Sequence, residues 1–365
     1  MKPRLLLAAS VVLMLAFVLF LGTAAAQPAN PCDPQFVART GNIIRVRPTG
    51  VDDTANIQCA FDWAIARKPG MTLRLLPGTF HTAQIYVNDF HGTFRGSGAD
   101  KTLIVNLPNL YVTPVNGAFN LPSADNPLAI LFSFINGRFE IADLAIYIDD
   151  HDGNMTTGTT ISGDWGSFTY YHFDAAIYIT GTQADAKVSR IEIEGEPLEN
   201  PDYPLFTAND AVIYANIFAE VSPPPISGAF RVRNSTFKST GAGVSVENIK
   251  DASILISHNK YEGSLYMIAA QGFVDSAIII DSNQGETIIG VAFDSQEFQE
   301  ITGTKFVVRN NKFAGDYGVI FWDTATFGAG NTCLIKSNDF RKILEWSVLL
   351  LGPGTDQCVL KNNKE

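Results

Sequence analysis

Apolar and polar positions recur as a fixed phrase along the C-terminal part of the chain. Six copies, FRVRNSTF, ILISHNKY, IIIDSNQG, FVVRNNKF, CLIKSNDF and CVLKNNKE, begin at residues 230, 254, 278, 306, 333 and 358. Their start-to-start intervals are 24, 24, 28, 27 and 25 residues. The first and third positions are apolar in every copy and the fourth is polar. The sixth is Asn259, Asn283, Asn311, Asn338 or Asn363, with Ser235 in the remaining copy. Alternation over the first residues predicts a short strand with one face inward. The Asn predicts a turn, because it tolerates a left-handed backbone and its amide can bond neighbouring backbone. Between phrases lies a second apolar segment: GVSVE at 243–247, IGVAFD at 289–294, GVIFWD at 318–323 and SVLLL at 347–351. Each period therefore carries at least two short strands. A repeat of this length is a solenoid. The spaced leucines of leucine-rich repeats and the amphipathic runs of helical repeats are both missing. What remains is a parallel β-helix, each coil pairing with the coils above and below, with the Asn amides stacked in a ladder.

Less regular coils precede these, among them LRLLPGTF at 73–80, RFEIADLAIYI at 138–148 and AAIYITG at 175–181. Ahead of them, Asp53 or Thr54 can cap a helix, and Ile57, Phe61, Ala64 and Ile65 form one apolar stripe at helical spacing, ended by Pro69-Gly70. A short helix there would cover the exposed strand edge of the first coil.

The segments GVDDTANIQCAFDWAI, LRLLPGTF and FHGTFRGSGADKTLI resemble the opening of pectin-lyase-like proteins. The resemblance extends over roughly residues 43–365. It implies an all-β fold, a right-handed parallel β-helix with an N-terminal capping α-helix. It is specific for fold and weak for function, because that superfamily holds lyases, hydrolases, epimerases and proteins without known activity. Of the polygalacturonase motifs only the Asp-Asp pair is present, at Asp149-Asp150. The Arg-rich segment of pectate lyases is absent. A standard pectinase of either type is therefore not expected.

The resulting plan is a signal peptide at 1–26, an N-terminal arm at 27–52, a capping helix at 53–68 and coils at 71–365, with inserted loops at about 149–174 and 196–228. Lys2 and Arg4 followed by the apolar run from Leu5 to Leu21 and by Ala24-Ala25-Ala26 read as a cleavable secretory signal. The alternative is an uncleaved anchor. With cleavage no span remains that is long enough for a bilayer, and the protein is expected to be secreted, periplasmic or at the cell surface. Four cysteines in an exported chain suggest two disulfides. Three pairings exist; proximity favours Cys32–Cys59 and Cys333–Cys358. Cys333 and Cys358 occupy the same slot on adjacent coils, about 4.8 Å apart. The alternative for them is an unbridged stack of small core residues.

Charge changes the picture further. Removing Lys2 and Arg4 from 26 Lys and Arg leaves 24 against 37 Asp and Glu, a net of −13. Such a surface excludes nonspecific nucleic-acid binding and gives no general attraction to anionic polysaccharides, although a local basic groove would still hold one.

Two regions carry candidate chemistry. The insertion at 149–174 brings Asp149, Asp150, His151, Trp165, Tyr170 and Tyr171, carboxylates and aromatics of the kind that bind sugar. The alternative is a polar surface loop pinned by its own aromatics. The second region is a column: aligning the second apolar segments puts Glu247, Gln271, Asp294 and Asp323 in one slot on successive coils. Asp294 and Asp323 would then be about 5 Å apart, the separation of a retaining glycosidase pair, and Glu247 and Asp294 about 10 Å apart. Tyr266 and Trp322 would offer stacking faces nearby. The alternative is ordinary acidic residues at strand ends. No cofactor is required; Ca²⁺ is the ion such carboxylates would suit, and no metal site is defined. The expected partner is a polysaccharide or cell-surface glycan, bound or processed by lyase or hydrolase chemistry. The competing expectation is a non-enzymatic scaffold or adhesive rod.

Overall fold

Each rung of this molecule is three short strands long. The computed structural model describes residues 31–67, 69–107, 130–148, 159–163, 166–170, 175–195, 211–216, 228–294, 301–323 and 325–365. The signal segment at 1–26 lies outside these residues, and Cys32–Glu365 form the unit described below.

Strands of the first sheet pair in parallel from Ile43–Val46 through Met71–Leu75 and onward to Val359–Lys361. The phrase starts this sheet in every C-terminal rung. Its third position forms one inward stack. Ile44, Leu73, Phe94, Ile141 and Val188 are followed by Val232, Ile256, Ile280, Val308 and Ile335, all buried. The stack ends on Leu360, which is 52% exposed. The second sheet begins after the ladder position, and the third carries the second apolar segments, with Ile85, Phe132, Ile177, Ile213, Val244, Ile268, Val291, Val319 and Val348 in register. Together the sheets form the right-handed parallel β-helix expected, the hand that parallel crossovers adopt.

The Asn ladder forms. Each amide of Asn259, Asn283, Asn311 and Asn338 donates to the Oδ1 of the next Asn at 3.0–3.2 Å, and each backbone N–H does so at 2.8–3.0 Å. The same Nδ2 groups also donate to carbonyls of the preceding rung, so the buried amides are saturated. The left-handed residue, however, is the one before: Asn234, His258, Ser282, Asn310, Ser337 and Asn362 have φ of 53–58°. The expectation that the ladder Asn itself takes that conformation is corrected. The ladder position needs a buried side-chain amide; the corner position needs only a residue that tolerates αL.

The helix α1 spans Thr54–Ile65, shorter than the 53–68 expected. Ile57, Ala60, Phe61, Trp63 and Ala64 are buried on it, and Ile65 packs at the margin. Asp53 occupies the N-cap but makes no side-chain cap bond. Its buried carboxylate instead accepts from the N–H groups of Thr49 and His81, at 2.7 and 3.0 Å. The helix closes the sheet edge with side chains. The amide of Gln58 donates to the Tyr86 carbonyl at 2.7 Å and accepts from its N–H at 2.9 Å, while the Thr54 hydroxyl accepts from Ala83 N–H at 2.8 Å. These bonds do what a further strand would do. The arm before the helix already holds a rung: Ile43–Val46 pairs Met71–Leu75, and Cys32 is bridged to Cys59 with Cα atoms 5.8 Å apart. Cys333 and Cys358 are bridged across adjacent rungs, Cα atoms 4.5 Å apart. Among the described residues no helix is long and apolar enough to cross a membrane.

Candidate functional site

The connections at 107–129, 149–174 and 196–210 are long, and all three join the second sheet to the third on successive rungs. Of the residues expected to act in the second of these, Asp149, Asp150, His151, Trp165 and Tyr171 lie outside the described residues. Tyr170 ends an antiparallel hairpin, Thr159–Gly163 with Gly166–Tyr170, where it pairs with Thr159. The expected loop at 196–228 contains a strand, Ala211–Asn216, which is a rung of the third sheet.

The third sheet brings the other candidates into register. Inward residues such as Val244, Ile268, Val291 and Val319 alternate with an outward set. Glu247 pairs Gln271, and Gln271 pairs Asp294. Glu247 and Asp294 are thus two rungs apart, about 10 Å along the stack. Asp323 does not share the row. Phe293 pairs Phe321, and Trp322 N–H donates to the Phe293 carbonyl at 3.0 Å, so the slot after Asp294 belongs to Trp322. The segments GVAFD and GVIFWD align at Gly-Val-x-Phe, Trp322 takes the place of Asp294, and Asp323 follows one residue later, in the turn. The 5 Å carboxylate pair expected of Asp294 and Asp323 is therefore replaced by an Asp–Trp neighbour pair.

What that register assembles is aromatic. Tyr266, Ile289, Tyr317 and Trp346 form one row across successive rungs. Beside it Ile289, Ala292 and Ile320 make a buried cluster separate from the lumen, with Tyr266, Tyr317, Trp322 and Leu349 packed against it. Trp346 is 55% exposed. A hydrogen bond to the Glu345 carboxylate, followed by burial and the charges of Glu345 and Asp316, pushes the Tyr317 phenol up to about 12. The phenol is thus a neutral donor at ordinary pH and its ring is held in place. Tyr317 and Trp346 were not singled out in the sequence. Starting the second segments earlier, at Tyr266-Met, Ile289-Gly, Tyr317-Gly and Trp346-Ser, would have shown them.

Chemically, the face offers flat apolar surface bordered by Gln271 and Asp294, a mixture that suits sugar rings and their hydroxyls. Among the described residues no group of three or more His, Cys, Asp or Glu converges to hold a metal. Asp149 and Asp150 of the insertion, carboxylates that would suit Ca²⁺, lie outside the described residues.

No family model and no curated relative matches the chain. Solved structures similar to it include polygalacturonase from Erwinia carotovora ssp. carotovora, at 12% identity over 94% of this chain and 100% of that one, TM-score 0.46. Escherichia coli ybhc is 14% identical over 80% and 76%, TM-score 0.46. The Yersinia enterocolitica family 28 exopolygalacturonase is 10% identical over 85% and 75%, TM-score 0.41. The parallel β-helix itself rests on the strand pairing of this chain.

Proposed function

We propose that this protein binds a polysaccharide along the outward face of its third sheet, outside the cytoplasm. The observation that carries this is the aromatic row of Tyr266, Tyr317 and Trp346, with Trp322 beside it. Rows on successive rungs repeat at about 4.8 Å, so a glycan lying along the axis meets stacking and hydrogen-bonding groups in turn. The two disulfides support an oxidising compartment.

Turnover, on this reading, falls to Glu247 and Asp294. Their rows lie close to the roughly 6.5–9.5 Å separation of an inverting glycosidase pair, in which one carboxyl protonates the leaving oxygen and the other activates water. The insertion residues Asp149, Asp150, His151, Trp165, Tyr170 and Tyr171 remain proposed substrate contacts.

The test is a panel of neutral and acidic polysaccharides, read for binding, new reducing ends and unsaturated products, with calcium and with chelator. Trp346→Ala is expected to weaken binding about tenfold, the loss of one stacked ring. Asp294→Asn is expected to abolish turnover while sparing binding. Binding without turnover supports the adhesive form of this reading. Affinity indifferent to Trp346→Ala and Tyr317→Ala would sink the third-sheet site.

A further inference from the structure

The outward face of the first sheet over its N-terminal rungs is basic, on a chain whose net charge is −11. Arg45 pairs Arg74 in register, and Arg74 pairs Arg95. Further along, Lys187 pairs Arg231, and Arg233 follows two residues later on the same face. Like charges directly across a ladder destabilise it, and little here offsets them. Asp143 is shared by Arg95 and Arg190, at 2.7 and 2.6 Å, and Asp185 pairs Arg138 at 3.2 Å. Among the described residues no carboxylate comes within ion-pair distance of Arg45, Arg74, Lys187, Arg231 or Arg233, although Glu140 stands opposite Lys187 in the register. Arg74 reaches only the Ser97 hydroxyl, at 3.5 Å, and its buried Nε has no partner. Counting Glu140 with Asp143 and Asp185, eight cationic side chains face three carboxylates, an excess of five. A cleft of about 700 Å³ opens in the same face, where Arg138 and Lys187 meet Glu140 and Asp185 beside His91, so the excess lies in the arginine stack around it.

The second sheet arranges its charges differently. Its cleft of about 640 Å³ is lined by Lys260, Lys312, Arg341 and Lys342 against Glu262, Glu286 and Asp339, and cations there are paired: Lys238 with Glu192, Lys260 with Glu262 and Arg341 with Asp339. What sets the first-sheet face apart is its stack of arginines without carboxylate partners, not its cleft.

We infer that this face docks an acidic polysaccharide, whose anionic groups bridge guanidinium groups on successive rungs. Stacked arginines at strand spacing are forks for carboxylate or sulfate. A repeating polyanion neutralises several rungs at once, which a single small anion does not. The aromatic interleaving that single-stranded nucleic acid uses is not part of this face. The inference concerns a different sheet from the aromatic row and stands without it.

The experiment is equilibrium binding of a fluorescent polyuronate and a fluorescent sulfated glycan to the disulfide-bonded chain across a salt series. Either arm binding, with affinity falling steeply as salt rises, is the expected result, and the tighter arm identifies the anion. Arg45→Gln with Arg74→Gln should weaken it about tenfold or more, and the thermal midpoint of that variant should not fall, since like-charge repulsion is relieved. The independent pair Lys187→Glu with Arg231→Glu should weaken it as well, while Lys238→Gln should leave it unchanged. The salt-sensitive part of the binding should disappear with the arginine pairs, which separates this face from third-sheet stacking, a contribution that salt leaves largely intact. Absence of binding in both arms, insensitivity to both pairs, or a DNA oligonucleotide bound as tightly through the same arginines would each overturn the inference.

Discussion

The corner between the first and second sheets is built in two ways. From Ser235 to Asn338 its sixth position is a buried polar side chain, and the Asn amides run unbroken to the half-buried Asn363. In the two rungs before, the same position holds Leu144 and Ile191, both buried, and the chain continues without side-chain amides. The left-handed residue in those rungs is charged: Asp143 and Arg190, joined to each other and to Arg95. One half of the corner is thus held by saturated internal hydrogen bonds, the other by apolar packing beneath a surface ion pair. A buried amide has fixed donors and acceptors and admits almost no substitute. A packed Leu or Ile can be exchanged for another apolar residue of similar volume. The C-terminal rungs repeat visibly for the first reason, and the N-terminal rungs are irregular for the second.

The largest effect is expected at the ladder. Asn311→Ala removes the acceptor of the Asn283 N–H and amide and the donor to the Ile280 carbonyl. Losing these three buried hydrogen bonds, with the Asn283 amide keeping only its bond to the Ile256 carbonyl, should cost about 3–5 kcal/mol, read as a lower denaturant midpoint. A loss under about 1 kcal/mol would show that water replaces the amide. Next comes the bridge on the last rungs. Cys333→Ser with Cys358→Ser reopens a loop closed over a separation of 25 residues, and should cost about 3 kcal/mol by chain entropy.

The apolar half should be gentler. Leu144→Met keeps volume and should cost about 1 kcal/mol or less, whereas Ile191→Ala leaves a cavity and should cost about 2–4. Equal losses for Leu144→Met and Asn311→Ala would erase the contrast between the halves. The smallest effect lies in the ion pair. The hydrogen bond from Arg190 holds the Asp143 carboxyl below its ordinary range, against the opposing pull of burial and with help from the charges of Arg190 and Arg95. A carboxylate with a depressed folded pKa stabilises above its unfolded value and loses that contribution as pH falls through the folded one. Acid unfolding below about pH 4 should accordingly be less steep in Asp143→Asn than in the parent chain. Parallel acid limbs would mean that Asp143 contributes nothing to the folded state.

The first-sheet strands, the Asn ladder and the disulfides were visible in the chain because each depends on local identity recurring at a period. Phrase positions one and three had to be apolar, and Cys333 and Cys358 had to share a slot. The site was less visible. Asp294 was placed correctly beside Gln271, but Asp323 was set one residue off. Turns between rungs differ in length, and only inter-rung hydrogen bonds fix which residue lies opposite which. A one-residue error moves a side chain to the other face.

The sequence by itself determined the rung, its apolar lining, the buried amide and the helix that covers the first edge, since all of these follow from a period and a pattern of burial. The tertiary structure alone decided that Trp322 rather than Asp323 stands next to Asp294, that Tyr266, Tyr317 and Trp346 share a row, and that Arg45, Arg74 and Arg95 are stacked. Row neighbours such as Arg45 and Arg74, Arg74 and Arg95, Asp294 and Trp322, or Tyr317 and Trp346 are 21 to 29 positions apart in the chain and about 5 Å apart between rungs, and only the ladder of backbone hydrogen bonds converts one distance into the other.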